Sequence, residues 1–268
     1  MAARDLSHDL SQAIAAVLMR GEARAKVRAS RALVRAWRRG EVPAGFSAQM
    51  PDQPAWPAHL QVLPPAQMPR RGKGGSDRGQ IAMWHALAHI EFVAIDLALD
   101  IVGRFGAEGG ASFIADFLTI AAEEAMHFAL IERHLATMGA AYGDLPVHAG
   151  LWDAAFDTRH DLAARLAIVP MVLEARGLDV TPAMLERVCK QGDMRGGRIL
   201  QRILDDEIRH VAAGARHFEA LCRKRGKTAE SHWKFLVSQN FRGRLKPPFN
   251  DSARLAAGLS REAYASLA

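Results

Sequence analysis

The stretch ILDDEIRHV, residues 203–211, places charged side chains inside an apolar helical pattern. At about 100° per residue, Glu207 lies at the centre of an apolar stripe rather than at its edge. His210 follows one turn later, so the two side chains can reach one point. A solvated turn does not fit this geometry, and a buried carboxylate without a partner is costly, so the pattern predicts a partner in the protein interior. The neighbours of Glu207 on its helical face are Gly196, Leu200, Ile203, Leu204, Val211, Gly214, Phe218 and Leu221.

Three further carboxylates fall within apolar helical patterns in the same way. Glu124 is centred among apolar residues and has His127 three positions on, while Glu91 and Glu174 have no such histidine. Glu91 precedes Glu124 by 33 residues, and Glu174 precedes Glu207 by the same 33 residues. The spacing predicts two copies of a helical hairpin, each with Glu on its first helix and Glu-x-x-His on its second.

Helical periodicity dominates the chain, and alternation typical of strands is almost absent, so we expect an all-α protein with four long helices at its centre. Residues 41–79 contain seven prolines and five glycines, which predicts an extended connector laid over the surface through Phe46, Trp56 and Leu60. The expected helices cover residues 6–39, 79–105, 110–138, 152–177, 181–191, 194–225 and 228–241, with a short helical tail.

Two such hairpins packed together would bring four carboxylates and two imidazoles to one level of the core. Four unpaired anions are not tolerable there, whereas two divalent cations would neutralise them. Carboxylate and imidazole ligands suit iron, the first choice, or manganese. A buried polar network without metal and a degenerate single-metal site are the alternatives that the spacing leaves open. The predicted metal ligands are Glu91, Glu124, His127, Glu174, Glu207 and His210.

This ligand pattern resembles the ferritin-like di-metal carboxylate superfamily, and DEIRH (206–210) looks like its Asp-Glu-x-Arg-His signature. HIEFVAIDLALD, YGDLPVHAGLWDAA, VLEARGLDVTP and KPPFN are similar to a bacterial ferritin-like family of uncharacterised function. The resemblance implies a ferritin-like four-helix bundle with additional N- and C-terminal helices. The expected domains are a basic N-terminal helix with the connector (1–78), the di-metal bundle (79–226) and a C-terminal helical extension (227–268).

The resemblance also implies roles for individual residues around the metals. Asp206 would accept a hydrogen bond from a ligand imidazole and so fix its tautomer. Glu123 stands at the equivalent position of the other half, a departure from the Asp of the signature, and Arg209 would pair with a nearby carboxylate. The implied ligand roles are bridging or terminal for Glu124 and Glu207, terminal for Glu91 and Glu174, and binding of one metal each by His127 and His210.

The implied activity is that of an O₂-activating oxidoreductase, with a small organic substrate in an apolar pocket near Phe117, Phe128 and Ile203. No flavin or nicotinamide fingerprint is visible, so the sequence names no electron donor and no catalytic residue beyond the ligands. Tyr142 and Tyr264 are out of helical register with the carboxylates, so a stored tyrosyl radical is not expected. A tRNA-modifying hydroxylase and a non-enzymatic metal storage or oxidation protein are the alternatives.

The positive charge of the chain is concentrated at its N-terminus. Residues 1–40 carry nine Lys or Arg against three Asp or Glu, and this excess of six equals the net charge of +6 for all 268 residues. A stripe of arginines at steps of three or four runs along the expected helix: Arg20, Arg24, Arg28, Arg31, Arg35 and Arg38, extending to Arg39. It predicts either the solvated face of a docking helix or a site for an anionic partner such as RNA.

The remaining sequence features concern location and assembly. The apolar stretches are too short for a transmembrane helix, and the N-terminus lacks the order of a signal peptide. Only Cys189 and Cys222 occur, without the spacing of a metal site, which suits a reducing cytoplasm. We therefore expect a cytoplasmic protein with no membrane partner, and a homo-oligomer is compatible with the sequence.

Several other polar residues lie near the predicted ligands in sequence. His85, His89, Asp96 and Asp100 fall on the helix side opposite Glu91. A solvated or interhelical face is the preferred interpretation, and a second polar cluster is the alternative. Pro170, four residues before Glu174, is expected to kink or loosen the helix that carries this ligand.

Overall fold

The computed structural model describes residues 9–69 and 76–268, and this part of the chain is all-α, as predicted. Its β-type pairing is limited to an isolated parallel bridge between Val62 and Val147. The chain divides into two compact units, one ending at Trp152 and one beginning at Asp153. None of the helices in the described ranges has the length and apolar character needed to cross a membrane. The expected domain limits at 78 and 226 stay a prediction.

The first unit contains α1 (Leu10–Leu18), α2 (Ala23–Arg38), a 3-10 turn (Pro65–Gln67) and α3 (Asp77–Thr137), and α4 (Gly150–Asp157) includes the point of division. The second unit contains α5 (Leu162–Ile168), a π-helical segment (Val169–Glu174), α6 (Ala175–Lys190), α7 (Met194–Lys224), α8 (Ala229–Asn240), α9 (Asp251–Ala256) and α10 (Arg261–Ala265).

The long element α3 is a hairpin of two helical arms. Gly110 has φ 81° and ψ −175°, a conformation outside the helical region that glycine adopts readily. Trp84 packs on His134 with ring centroids 4.5 Å apart, and Phe92 packs on Phe128 at 5.4 Å. Residue numbers therefore fall along the second arm as they rise along the first, so the arms are antiparallel and correspond to the two helices expected on either side of residue 110.

The single helix expected over residues 6–39 is wrong, because the structure has two helices there; residues 6–8 lie outside the described part. The chain breaks between α1 and α2, where the Glu22 side chain accepts hydrogen bonds from the backbone N–H groups two and three residues on. A side chain at Gly21 would place Cβ 3.1 Å from the Trp56 carbonyl oxygen. The connector therefore lies against the break, and helical periodicity alone could not locate it.

Two expected helix boundaries in the second half of the chain are also corrected. The helix expected at 152–177 ends with α4, and Asp161 then caps a new helix by accepting from two backbone N–H groups. The separate helix expected at 181–191 is continuous with α6. The helices expected at 194–225 and 228–241 are confirmed as α7 and α8.

The C-terminal segment explains why α6 continues through Pro182. Pro182 has no N–H for the Leu178 carbonyl four residues earlier, and this carbonyl accepts from Nδ2 of Asn250 at 3.1 Å. Arg254 also attaches the C-terminal segment to α6, through a bidentate ion pair with Asp179 whose N–O distances are 2.8 and 2.7 Å. Donors from outside the helix thus replace the hydrogen bond that the proline removes.

The extended connector that the sequence predicts packs along the first arm of α3. A Cβ atom at Gly103 would lie 2.2 Å from Sδ of Met50, and one at Gly106 would lie 2.3 Å from the ring of Phe46. Met50 is buried. The absence of side chains at both glycines therefore lets connector side chains pack directly on the helix backbone.

The polar residues opposite Glu91 are buried rather than solvated. His85, His89, Asp96 and Asp100 are each no more than 6% exposed. The interhelical interpretation holds for Asp96, which contacts Lys26 of α2, while Asp100 accepts from Nε of Arg104 within α3 at 2.8 Å. The solvated interpretation is wrong, since the connector and α2 cover this side of α3.

A buried ion pair fastens α2 to α3. Nζ of Lys26 is 2.7 Å from Oδ1 of Asp96, and both side chains are fully buried. Lys26 also donates to the Ala55 carbonyl at 2.8 Å, and Nε1 of Trp56 donates to Oδ2 of Asp96 at 3.1 Å. Burial raises the pKa of Asp96 to about 6, with Lys26 opposing that rise. The pair is therefore held by several hydrogen bonds, as burial of two charges requires.

We expect Asp96→Asn to lower the free energy of unfolding by about 3–5 kcal/mol, because Lys26 is left buried without a counter-ion. The measurement is urea unfolding followed by circular dichroism. The double variant Lys26→Met/Asp96→Asn leaves no buried charge and is expected to recover most of the loss. A double variant no more stable than Asp96→Asn would contradict the role assigned to the ion pair.

Candidate metal centre

The first unit brings together three of the six predicted ligands. Glu91 lies on the first arm of α3, and Glu124 and His127 lie on the second. Nδ1 of His127 is 3.2 Å from Oε2 of Glu91 and 3.2 Å from Oε2 of Glu124. All three side chains are buried, and each offers a ligand atom within 4.8 Å of the others. Glu123 is half-buried beside them, and its expected role stays a prediction.

The electrostatics of this cluster favour a cation. Burial, and then the neighbouring Glu124 carboxylate, raise the pKa of Glu91 well above its usual value, and His127 opposes that rise. Two carboxylates whose oxygens lie within 4.8 Å of each other are not readily both ionised unless a positive charge lies between them. Two carboxylates and one imidazole are also a donor set that iron and manganese accept. The residues present therefore fit a metal site.

The second unit carries the matching Glu-x-x-His pair on α7. Nδ1 of His210 is 3.5 Å from Oε1 of Glu207, and both residues are largely buried. Asp206 accepts from Nε of Arg202 at 2.6 Å, and Nη2 of Arg209 donates to its other oxygen. Arg209 is thus paired with a carboxylate, and the expected hydrogen bond from Asp206 to a ligand imidazole stays a prediction.

The sixth predicted ligand, Glu174, is the last residue of the π-helical segment. Pro170 is expected to loosen this helix, and the structure has a π-helical turn there. In a π-helix the backbone hydrogen bonds span five residues instead of the four of an α-helix. The Ala167 carbonyl accepts from Nε1 of the buried Trp233 on α8, at 3.2 Å. Trp233 therefore supports the π segment from outside the helix, a role that no pattern in the local sequence indicated.

Gly214 on α7 allows the π segment to pack closely. A Cβ atom at Gly214 would lie 2.4 Å from Cβ of Pro170. The sequence contained a signal for this contact, because Gly214 stands on the same apolar face as Glu207. A missing side chain at such a position indicates close approach of a neighbouring backbone.

Tyr142 lies closer to the first-unit cluster than helical register suggested. Its ring centroid is 5.4 Å from that of Phe92 and 5.2 Å from that of Phe128, which adjoin Glu91 and His127 in sequence. Its hydroxyl donates to Nδ1 of His89 at 2.8 Å. Burial raises the pKa of Tyr142 well above its usual value. Helical register could not predict the position of Tyr142, because this residue belongs to a loop rather than to a helix.

We expect Gly214→Ala to lower the free energy of unfolding by about 1–3 kcal/mol, because the new methyl group collides with Pro170. Gly177→Ala in α6 is the matched control, since no described atom comes within 4 Å of the added methyl group. The control is expected to stabilise the protein by about 0.5–1 kcal/mol through helix propensity. Urea unfolding measures both, and equal effects of the two variants would exclude the close contact.

Comparison with known proteins places the chain in a family. The family model described as a protein of unknown function (DUF455) matches residues 19–265. An uncharacterized protein of Haemophilus influenzae is 40% identical over 226 residues, covering 82% of this chain and 76% of that protein. No solved structure matches the chain. Because the family model spans nearly the whole sequence, the chain belongs to the DUF455 family of proteins of unknown function.

Proposed function

We propose that this protein is a ferritin-like di-metal carboxylate protein, with iron as the first choice of metal and manganese as the alternative. The observation that carries the proposal is the buried cluster of Glu91, Glu124 and His127, whose ligand atoms lie within 4.8 Å of one another. The second unit repeats the same residue types at the same spacing. Glu174, Glu207 and His210 would supply the other half of the ligand set.

Charge balance supports two metals rather than one. The proposed set contains four carboxylates and two neutral imidazoles, a charge of −4 that two divalent cations would cancel. A single divalent cation would leave two buried negative charges uncompensated, which is costly in an apolar interior. The Glu-x-x-His pairs would each hold one metal, and Glu91 and Glu174 would close the site from the other helices.

We further propose that the activity is that of an O₂-activating oxidoreductase acting on a small organic substrate. Reduced iron or manganese in such a site would supply the electrons and the Lewis acidity that dioxygen chemistry requires. Phe92 and Phe128 are fully buried next to the ligands, with rings 5.4 Å apart, and would exclude water from the first half-site. Phe117, also buried, belongs to the apolar surroundings proposed for the substrate.

Metal analysis of single-ligand variants tests the proposal. We expect about two iron or manganese ions per wild-type chain and about one in His127→Ala and in His210→Ala, because each imidazole would hold one metal. His160→Ala, which removes an exposed histidine in a turn, is the control and is expected to keep both ions. The measurement is elemental analysis after anaerobic Fe(II) loading and desalting.

The pattern of loss separates the alternatives. Wild-type protein that retains no metal would overturn the di-metal proposal. One ion that is lost in His127→Ala but kept in His210→Ala would indicate a single-metal site in the first unit. A metal storage or oxidation protein would bind the same ions and consume O₂ in proportion to added Fe(II), without requiring an organic substrate.

The exposed arginines of α2 keep RNA as a second candidate partner, as in a tRNA-modifying hydroxylase. Arg28, Arg31 and Arg35 are exposed, whereas Nε of Arg24 is 2.9 Å from Oε1 of Glu132 on α3. Neutralising phosphates with arginine releases counterions, so binding of this kind weakens steeply with salt.

We expect the variant Arg28→Gln/Arg31→Gln/Arg35→Gln to lose about tenfold or more in tRNA affinity and to show a shallower salt dependence. Fluorescence anisotropy with labelled tRNA measures both. Arg133→Gln, which replaces one exposed arginine on α3, is the control. Equal affinity of wild type and the triple variant would exclude α2 as an RNA-binding surface.

A further inference from the structure

A cavity of about 250 Å³ opens in the first unit between α3, the connector and the loop before α4. It is separate from the proposed ligands, since none of them lines it. Positions 78, 82, 85 and 86 of α3 share one helical face and form one wall. The described residues that line the cavity are Pro65, Met68, Pro69, Arg78, Ala82, His85, Ala86, Leu145, Pro146 and His148.

The hydrogen bonds of His85 determine which of its nitrogens is a donor. Nε2 of His85 accepts from the backbone N–H of Gly143 at 2.9 Å and from that of Leu145 at 3.3 Å. A nitrogen that accepts from amides cannot itself carry a proton, so the proton of the neutral imidazole is on Nδ1. Burial lowers the pKa of His85, with Asp144 opposing, which favours this neutral form.

A hydrogen bond also determines the tautomer of His148, but with the two ring nitrogens in opposite roles. Its Nδ1 accepts from the backbone N–H of Gly150 at 3.2 Å, which leaves the proton on Nε2. Its carbonyl oxygen accepts from Nε2 of the buried His89 at 3.1 Å, so this part of the loop is anchored to α3. Both histidines that line the cavity therefore use their acceptor nitrogens internally and have an N–H group left over.

Arg78 supplies a positive charge at the same cavity. No described residue forms an ion pair with Arg78, and none of the described lining residues is acidic. Asp144 lies in the neighbouring loop, where its Oδ2 accepts from the backbone N–H of Ala141 at 2.7 Å. The polar side chains among the described lining residues thus offer donors, and the other described lining residues are alanine, proline, leucine and methionine.

We propose that this cavity binds a small organic carboxylate, whose carboxylate accepts from Arg78 and the two histidine N–H groups and whose apolar body packs on Ala82, Ala86 and Pro146. A guanidinium and two neutral N–H donors match the acceptor-only chemistry of a carboxylate. The cavity volume lies below that of sites for drug-sized ligands, which begin at about 300 Å³, so the ligand is small. The cavity requires no metal and is independent of the proposed oxidoreductase function.

Calorimetric titration of the full chain with four probes of known chemistry tests this site. Benzoate carries both the charge and the apolar body, acetate carries the charge alone, benzyl alcohol the body alone, and benzylamine the opposite charge. We expect benzoate to bind at least about tenfold more tightly than each of the other three, because only it uses both parts of the lining. Benzylamine or benzyl alcohol binding as tightly as benzoate would overturn the proposal, as would no detectable benzoate binding.

Two variants test whether benzoate binds in this cavity. Arg78→Gln is expected to weaken benzoate binding about tenfold through loss of a charge-assisted hydrogen bond, and Arg133→Gln, elsewhere on α3, is expected to leave it unchanged. Ala86→Leu fills the cavity without touching a donor and is expected to abolish binding. Circular dichroism confirms that each variant is folded. Benzoate affinity unchanged in both Arg78→Gln and Ala86→Leu would assign the binding to another place and refute the site.

Discussion

Burial of charge inside helical packing is the constraint on which most of this structure depends. A carboxylate that leaves water loses several kcal/mol of solvation unless a cation or several donors replace it. Asp96 meets this requirement with Lys26, and Asp179 meets it with Arg254. These pairs join helices that are distant in sequence, so satisfying the charge also fixes how α2 and the C-terminal segment are attached.

The cluster on the α3 hairpin is different, because two carboxylates there share one imidazole. His127 is the side chain shared by Glu91 and Glu124 at 3.2 Å. A neutral imidazole cannot cancel two negative charges, whereas a divalent metal bound by all three groups can. The contrast with the Asp96–Lys26 pair is the physical reason for assigning a structural role to Asp96 and for proposing a metal at the cluster of Glu91, Glu124 and His127.

Backbone carbonyls impose a second constraint on the helix that carries Glu174. Pro170 and Pro182 each remove a helical donor, and a buried carbonyl without a partner costs free energy. Trp233 donates to the Ala167 carbonyl just before the π segment, and Asn250 donates to the Leu178 carbonyl that Pro182 leaves without its helical donor. The C-terminal segments therefore complete the hydrogen bonding of this helix, which links an apparently peripheral part of the chain to the geometry of a predicted ligand.

Local periodicity was sufficient to predict the fold class and the central residues of the candidate site. A helix repeats every 3.6 residues, so the pattern alone showed that Glu91, Glu124 and Glu207 face inward and that histidines stand one turn away. It also placed the hairpin turn near Gly110. The same reasoning missed the break before Glu22, because that break depends on where the connector lies.

The amino-acid sequence by itself therefore determined which faces of the helices are buried and which carboxylates and imidazoles lie on them. Only the tertiary structure decided which distant groups compensate them. The partner of Asp96 is Lys26, 70 residues away and on a helix that the sequence marked only by its basic stripe. Periodicity is a property of consecutive residues, whereas a buried charge is satisfied by whatever side chain the folded chain brings to it, and that information is not local.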